Sequence, residues 1–233
     1  MERDGSSQVE WPASVALGVF AKAPLAGRAK TRLAPALGEG GAAVLYEAFL
    51  ADTLERFRMA RVFVASPDDV GFFRERFRDR PPRVQADGDL GVRMERALAD
   101  LLDGADAAVL IGSDAPTLPF AYVAGAARRL SRGADVVLGP SADGGYVLIG
   151  CRARPPSLSG AIRFSTAHAL DDTIAALVSR RIERLAPWYD VDTPADLRLL
   201  RAHLALDPAA APRTATALRR LASAADPTRR SAF

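Results

Sequence analysis

The sequence predicts an α/β sandwich on a mostly parallel sheet, and three observations carry that prediction. Short apolar runs free of charge alternate along the chain with longer segments whose apolar residues recur at helical spacing. Polar and charged residues gather just after those apolar runs, at the carboxyl ends of strands, where such folds bind ligands. Only around SADGG do two apolar runs follow each other without a helix between them, so one antiparallel pairing is expected in an otherwise parallel sheet.

Taken in order, residues 1–14 are polar, contain Gly, Ser and Pro, and read as a loose arm. SVALGVF suits a first buried strand. Between residues 39 and 57, Val44, Leu45, Ala48, Phe49 and Leu54 fall at helical spacing. RVFVAS reads as a second strand and DDVGFFRERF as a short helix. Residues 89–103 repeat the helical pattern through Met94, Leu98, Leu101 and Leu102. AAVLIGSD is a third strand ending on Asp114, followed by a helix that starts near Pro119 and stops at Gly133. ADVVLGP and GYVLIGC are strands flanking SADG. A helix is predicted over 166–181, a strand over RIERLAPWYDV, and a helix over PADLRLLRAHLAL with Pro194 in its first turn. The Ala-, Pro- and Arg-rich remainder contains one helical stretch around 216–222. The expected organisation is an arm over 1–14, one domain over 15–206 and an extension over 207–233.

An apolar fraction of 49% and a charged fraction of 25% are those of an ordinary globular protein and exclude a disordered chain. The net charge of +3 comes from nearly balanced acids and bases, with no basic run interleaved with aromatics, so no nucleic-acid partner is expected. The single Cys151 excludes an internal disulfide framework and a thiolate metal cluster. The first residues lack an apolar signal core, and no run reaches the roughly 18 apolar residues of a membrane span. A cytoplasmic location is expected.

AKAPLAGRAKTRL, residues 21–33, follows the first strand and holds Lys22 and Lys30, the only two lysines in the chain. Every other cationic side chain is an arginine. An ammonium is a compact, movable point charge, whereas guanidinium is a rigid fork. With Gly27, Thr31 and Arg32, the loop reads either as a cradle for phosphates or as a solvated surface loop. It is not a Walker A motif, because two residues separate Gly27 from Lys30. So poor in glycine, it would need cationic side chains for much of the neutralisation: Lys22, Lys30, Arg32 and Arg28.

Asp114 in IGSDAP projects from a strand end, as either a hard oxygen ligand for a divalent cation or the N-cap of the following helix. In WYDVDTPADL, Asp190 and Asp192 alternate and share one side of an extended segment. Asp192 is a second candidate ligand, with the alternative that Asp192 or Thr193 caps the next helix. Asp143-Gly144-Gly145 makes a good hairpin turn, and with Tyr146 it also suits recognition of a polar acceptor. In QADGDLGVRM, Gly88, Gly91 and Arg93 at a helix start suit ribose or phosphate, or the stretch is a helix capped by Asp89. His168 and His203 stand alone and read as structural. Cys151 reads as a small buried hydrophobe.

With these residues set out, AKAPLAGRAKTRL, GDLGVRM, IGSDAP, GPSADGGYVLIG, FST and DVDTPADL, in that order, resemble the glycosyltransferase-like DUF2064 family of the nucleotide-diphospho-sugar transferase superfamily. The resemblance spans about residues 15–204 and implies a GT-A fold, a three-layer Rossmann-like α/β/α sandwich around a mixed sheet. It implies phosphate contacts from Lys22, Lys30 and Arg32, within a nucleotide-binding set that adds Pro24, Gly27, Thr31, Gly91 and Arg93. Mg²⁺ or Mn²⁺ would be held by Asp114 and Asp192. The acceptor would meet Asp143, Gly144, Gly145, Tyr146, Ser165 and Thr166, and Lys30, Arg32, Asp114 and Asp143 would carry catalysis. Where the family has a tryptophan before Ser-Thr, this chain has Phe164, which lacks a donor. The expected activity is metal-dependent transfer of a sugar from a nucleotide-diphospho-sugar to a small acceptor. The alternative is a nucleotidyltransferase joining a nucleoside triphosphate to a phosphorylated small molecule with release of pyrophosphate. A non-catalytic nucleotide binder is the third reading.

Overall fold

A computed structural model describes residues 10–160 and 162–225. The first nine residues of the predicted arm lie outside the described residues. Of the rest, Trp11 donates from its indole nitrogen to the Val15 carbonyl at 2.7 Å and rests against Phe120.

The strands are β1 (Val15–Ala21), β2 (Arg61–Val64), β3 (Arg83–Val84), β4 (Ala107–Gly112), β5 (Val136–Pro140), β6 (Tyr146–Arg152) and β7 (Ile182–Arg184). The helices are α1 (Ala34–Arg56), α2 (Val70–Arg76), α3 (Leu90–Leu102), α4 (Phe120–Ser131), α5 (Ala169–Ala176), α6 (Pro194–Leu206) and α7 (Pro212–Ala225). The strands form one sheet in the order β3-β2-β1-β4-β6-β5-β7. Pairing is parallel except where β6 runs antiparallel between β4 and β5. The expected antiparallel neighbour of β5 is therefore present, and the same strand makes a second antiparallel pairing with β4.

Strand alternation divides the core into two faces. Val15, Leu17, Val19, Val109 and Ile111 point to one face, packed by α1, α4, α6 and α7. Ala108, Leu110, Val136, Leu138 and Ile149 point to the other, packed chiefly by α3. Gly18 lets α3 approach, since a Cβ there would meet Leu101 at 2.8 Å.

Two predicted elements come out shorter, and one strand was not expected. The strand expected over RIERLAPWYDV narrows to Ile182–Arg184. Beyond it the chain keeps only one bridge, Ser141 with Trp188. The helix expected over 166–181 shortens to Ala169–Ala176, because Ser165 at φ 61° turns the chain just before it. β3 went unpredicted: it has two residues, both exposed, and no pattern to read. Past residue 207, α7 lies on α1, and Ala211, Ala215, Ala217 and Leu218 join the main core. Buried Asp52 of α1 accepts from the backbone nitrogens of Arg213 and Thr214 at 3.1 and 2.8 Å, capping α7 from a neighbouring helix.

Candidate active site

The chain runs outward from β1 to β3 and then returns to place β4 beside β1. The carboxyl ends of β1 and β4 flank the crevice where the order reverses, the usual ligand position in open α/β sheets. The 22–33 loop leaves β1 and Asp114 follows β4. Because β6 is antiparallel, the 141–145 turn and Tyr146 lie at the same end. The segment carrying Asp190 and Asp192 is drawn in by the Val191 nitrogen, which donates to the Asp114 carbonyl at 2.9 Å.

At the centre, the Lys30 ammonium lies 2.6 Å from one oxygen of Asp114 and 2.6 Å from one oxygen of Asp192. The lysine side chain is only 2% exposed, whereas the two carboxylates are 42% and 38% exposed. Burial by itself lowers the lysine pKa, but the two carboxylates more than offset this and the net direction is upward. The ammonium also faces the rings of Tyr46 and Phe49 at 5.7 and 5.8 Å. The Tyr46 hydroxyl bonds to Ser113 at 2.8 Å, and burial together with Asp114 keeps the phenol protonated.

Caps elsewhere leave both carboxylates available. Thr193 caps α6, with Asp196 completing the capping box, so Asp192 does not cap it. The N-cap position of α4 is Pro119, without a side-chain bond, so Asp114 is not the cap there. Asp89 does cap α3, accepting from the Val92 nitrogen at 2.9 Å.

Two adjoining cavities share Leu90, Met94 and Tyr146. The first, of about 370 Å³, has Lys22, Gln85, Arg93 and Asp114 on its wall. Gln85 is buried and fixed, donating to the Phe63 carbonyl at 3.1 Å and accepting from Arg93 at 3.4 Å. The second, of about 420 Å³, has Arg32, Asp143, Ser165, Thr166, Asp190 and Asp192 on its wall. Asp190 accepts from the Ser141 hydroxyl at 2.9 Å. Burial and then the neighbouring charge of Asp143 push its carboxyl up to about 6. Asp143 itself accepts from the Gly145 nitrogen at 2.9 Å, closing its own turn.

Pro24, Gly27, Lys30, Thr31, Gly91 and Gly144 line neither cavity. Two of these glycines serve close packing. A Cβ on Gly91 would lie 2.5 Å from the Leu158 carbonyl oxygen, and one on Gly144 would lie 2.3 Å from that of Ala167. Phe164 lines the second cavity. Cys151 is a neutral buried thiol, pushed up to about 12 by burial. His203 meets the Tyr189 hydroxyl at 2.7 Å and braces the segment before Asp190. Tyr46 and Gln85 were missed in the sequence, since a tyrosine within an apolar helix reads as core and Gln85 belongs to no motif. Asp190 carried one signal, its alternation with Asp192.

Among the described residues no group of three or more His, Cys, Asp and Glu side chains is arranged to hold a metal ion. Asp114 and Asp192 nevertheless aim hard oxygens at one point, and both are partly open to the cavities. Two carboxylates completed by phosphate and water oxygens are the donor set that Mg²⁺ commonly takes. These residues fit such an ion.

A nucleotide-diphospho-sugar transferase-like fold with a charged crevice at its switch point is the class of structure defined here. The chain belongs to DUF2064, described as an uncharacterized protein conserved in bacteria, whose family model matches residues 49–166. A crystal structure from Desulfovibrio desulfuricans G20, provisionally named a nucleotide-diphospho-sugar transferase, is 30% identical with a TM-score of 0.82. The match covers 90% of this chain and 96% of that one. A cytidylyltransferase from Leptospira borgpetersenii shares the fold at 13% identity and a TM-score of 0.54, covering 83% of this chain and 87% of that one. So does the 4-diphosphocytidyl-2C-methyl-D-erythritol synthase of Anaerococcus prevotii, at 10% identity and 0.51, covering 82% and 99%. No curated protein matches the sequence. No described helix is long and apolar enough to cross a membrane.

Proposed function

We propose that the protein is a transferase that moves a sugar from a nucleotide-diphospho-sugar to a small acceptor. The observation that carries this reading is that Lys30 joins Asp114, on the wall of the first cavity, to Asp192, on the wall of the second. The first cavity takes the nucleotide, with Lys22 and Arg93 as its cations. The second takes the acceptor, with Asp143 and Asp190 on its wall and Arg32 at its entrance. A divalent cation held by Asp114 and Asp192 would supply Lewis-acid polarisation of the diphosphate. The acceptor hydroxyl oxygen bonds to the anomeric carbon as the bond from that carbon to the diphosphate oxygen breaks. The electron pair leaves with the diphosphate, where Lys22 and Arg32 neutralise the growing charge. The hydroxyl proton passes to the Asp143–Asp190 carboxylate pair.

Nucleotidyl transfer is the second reading, favoured by the fold shared with the two cytidylyltransferase-type structures. Incubation of the purified protein with Mn²⁺, a panel of nucleotide sugars and a panel of nucleoside triphosphates separates the two. Nucleoside diphosphate released from a nucleotide sugar is expected. Pyrophosphate released from a triphosphate, with no turnover of any nucleotide sugar, overturns the first reading in favour of the second.

A further inference from the structure

We propose that Lys30 is an internal counter-cation that keeps divalent metal out of the Asp114–Asp192 site until a diphosphate arrives to receive its ammonium. This rests on the reading of the crevice as a metal-diphosphate site. The ammonium lies 2.6 Å from an oxygen of each carboxylate, between the two groups that would have to turn toward a metal. A Mg²⁺ ion bound by both carboxylates, at about 2.0–2.1 Å from their oxygens, would lie within a few ångströms of the ammonium that already takes one oxygen of each. Two cations a few ångströms apart repel, and the ammonium, on a side chain only 2% exposed, is little screened by water. Metal entry is therefore opposed for as long as the ammonium stays between the two carboxylates.

Lys30 has little freedom to move alone. Its side chain is 2% exposed, and it leaves a backbone in the left-handed region, φ 51° and ψ 43°, which the loop fixes in place. Away from the carboxylates its ammonium faces the rings of Tyr46 and Phe49. Ring faces are weak partners for a buried charge that has lost two carboxylates. A diphosphate in the adjoining cavities changes the balance by offering oxygens to the ammonium, which frees the carboxylates for metal. Metal and diphosphate then each raise the other's affinity by the same factor.

The test uses the full chain. Mn²⁺ binding without any anion is measured by the EPR signal of free Mn²⁺ for the wild type and for Lys30→Met. The variant is expected to bind at least tenfold more tightly. Because the chain has only two lysines, ¹³Cε-lysine labelling gives two side-chain resonances, assigned with Lys22→Arg. Mg²⁺ alone should leave the Lys30 resonance in place, and Mg²⁺ with inorganic pyrophosphate should shift it. Should Lys30→Met fail to fold, this second measurement decides. Tight Mn²⁺ binding by the wild type without anion, abolished by Asp114→Asn, overturns the proposal and leaves the metal-site reading standing. A Lys30 resonance moved by Mg²⁺ alone, or unmoved by Mg²⁺ with pyrophosphate, also overturns it. No Mn²⁺ bound by either protein, even with pyrophosphate, removes the metal-site reading and this proposal together.

Discussion

Asp114 and Asp192 each reach one oxygen to Lys30 and leave their outer edges toward the cavities. Removing one charge should disable the crevice without unfolding the chain, because both side chains are partly solvated and neither caps a helix. Asp114→Asn and Asp192→Asn are each expected to slow nucleoside diphosphate release by about 10²–10³-fold, the size of loss typical for an electrostatic group at a developing charge. Thermal melts of both variants should stay near the wild type. Gly144→Ala is expected to do the reverse. Gly144 has φ 88° and backs onto the Ala167 carbonyl, so a methyl group there is both strained and overpacked. A loss of about 1–3 kcal/mol follows, read as a melting temperature lower by about 2–12 °C in a chain of this size.

At the scale of elements, α7 depends on Asp52, a buried carboxylate that takes two backbone nitrogens and the Thr214 hydroxyl, the last at 2.7 Å. Asp52→Ala leaves those donors unsatisfied and should cost about 2–4 kcal/mol, with hydrogen exchange rising across residues 212–225. The acceptor-side loop depends on another carboxylate. Asp172 takes a bidentate bond from the Arg163 guanidinium and a third bond from the Arg163 backbone nitrogen. The Arg163 guanidinium and backbone bonds hold its carboxyl well below the usual range. A depressed folded-state pKa means the stabilisation is complete above the unfolded value of about 3.9 and is lost as pH falls below it. Exchange protection around residues 163–172 should therefore weaken as pH falls below that value, and Asp172→Asn should remove that pH dependence.

At the scale of the whole molecule, the order β3-β2-β1-β4-β6-β5-β7 brings residues distant in the chain to one crevice. Much of this was legible. Strand-end placement put Lys22, Lys30, Asp114 and Asp192 at one end of the sheet, where they lie, because short charge-free runs announce buried strands and whatever follows them lies at their ends. What stayed hidden depended on contacts between distant segments. Asp190 takes its character from Ser141 and Asp143, Gly91 from the Leu158 carbonyl, and α7 from Asp52. A residue at one position does not announce a partner many residues away. The shared crevice also predicts a collective response. A nucleotide sugar with Mn²⁺ at about a hundred times its Kd should stabilise the fold by about 2.7 kcal/mol, read as a rise in melting temperature that Asp114→Asn abolishes.

The pairing of Lys30 beneath its carboxylates also decides how the protein meets covalent reagents. One of the chain's two lysines is sealed, so Lys22 is the side-chain amine open to an acylating probe. A fluorophore ester used sparingly should therefore mark the rim of the first cavity. Protection of that amine by a bound nucleotide would map occupancy directly, in a chain whose arginines stay silent to the same reagent.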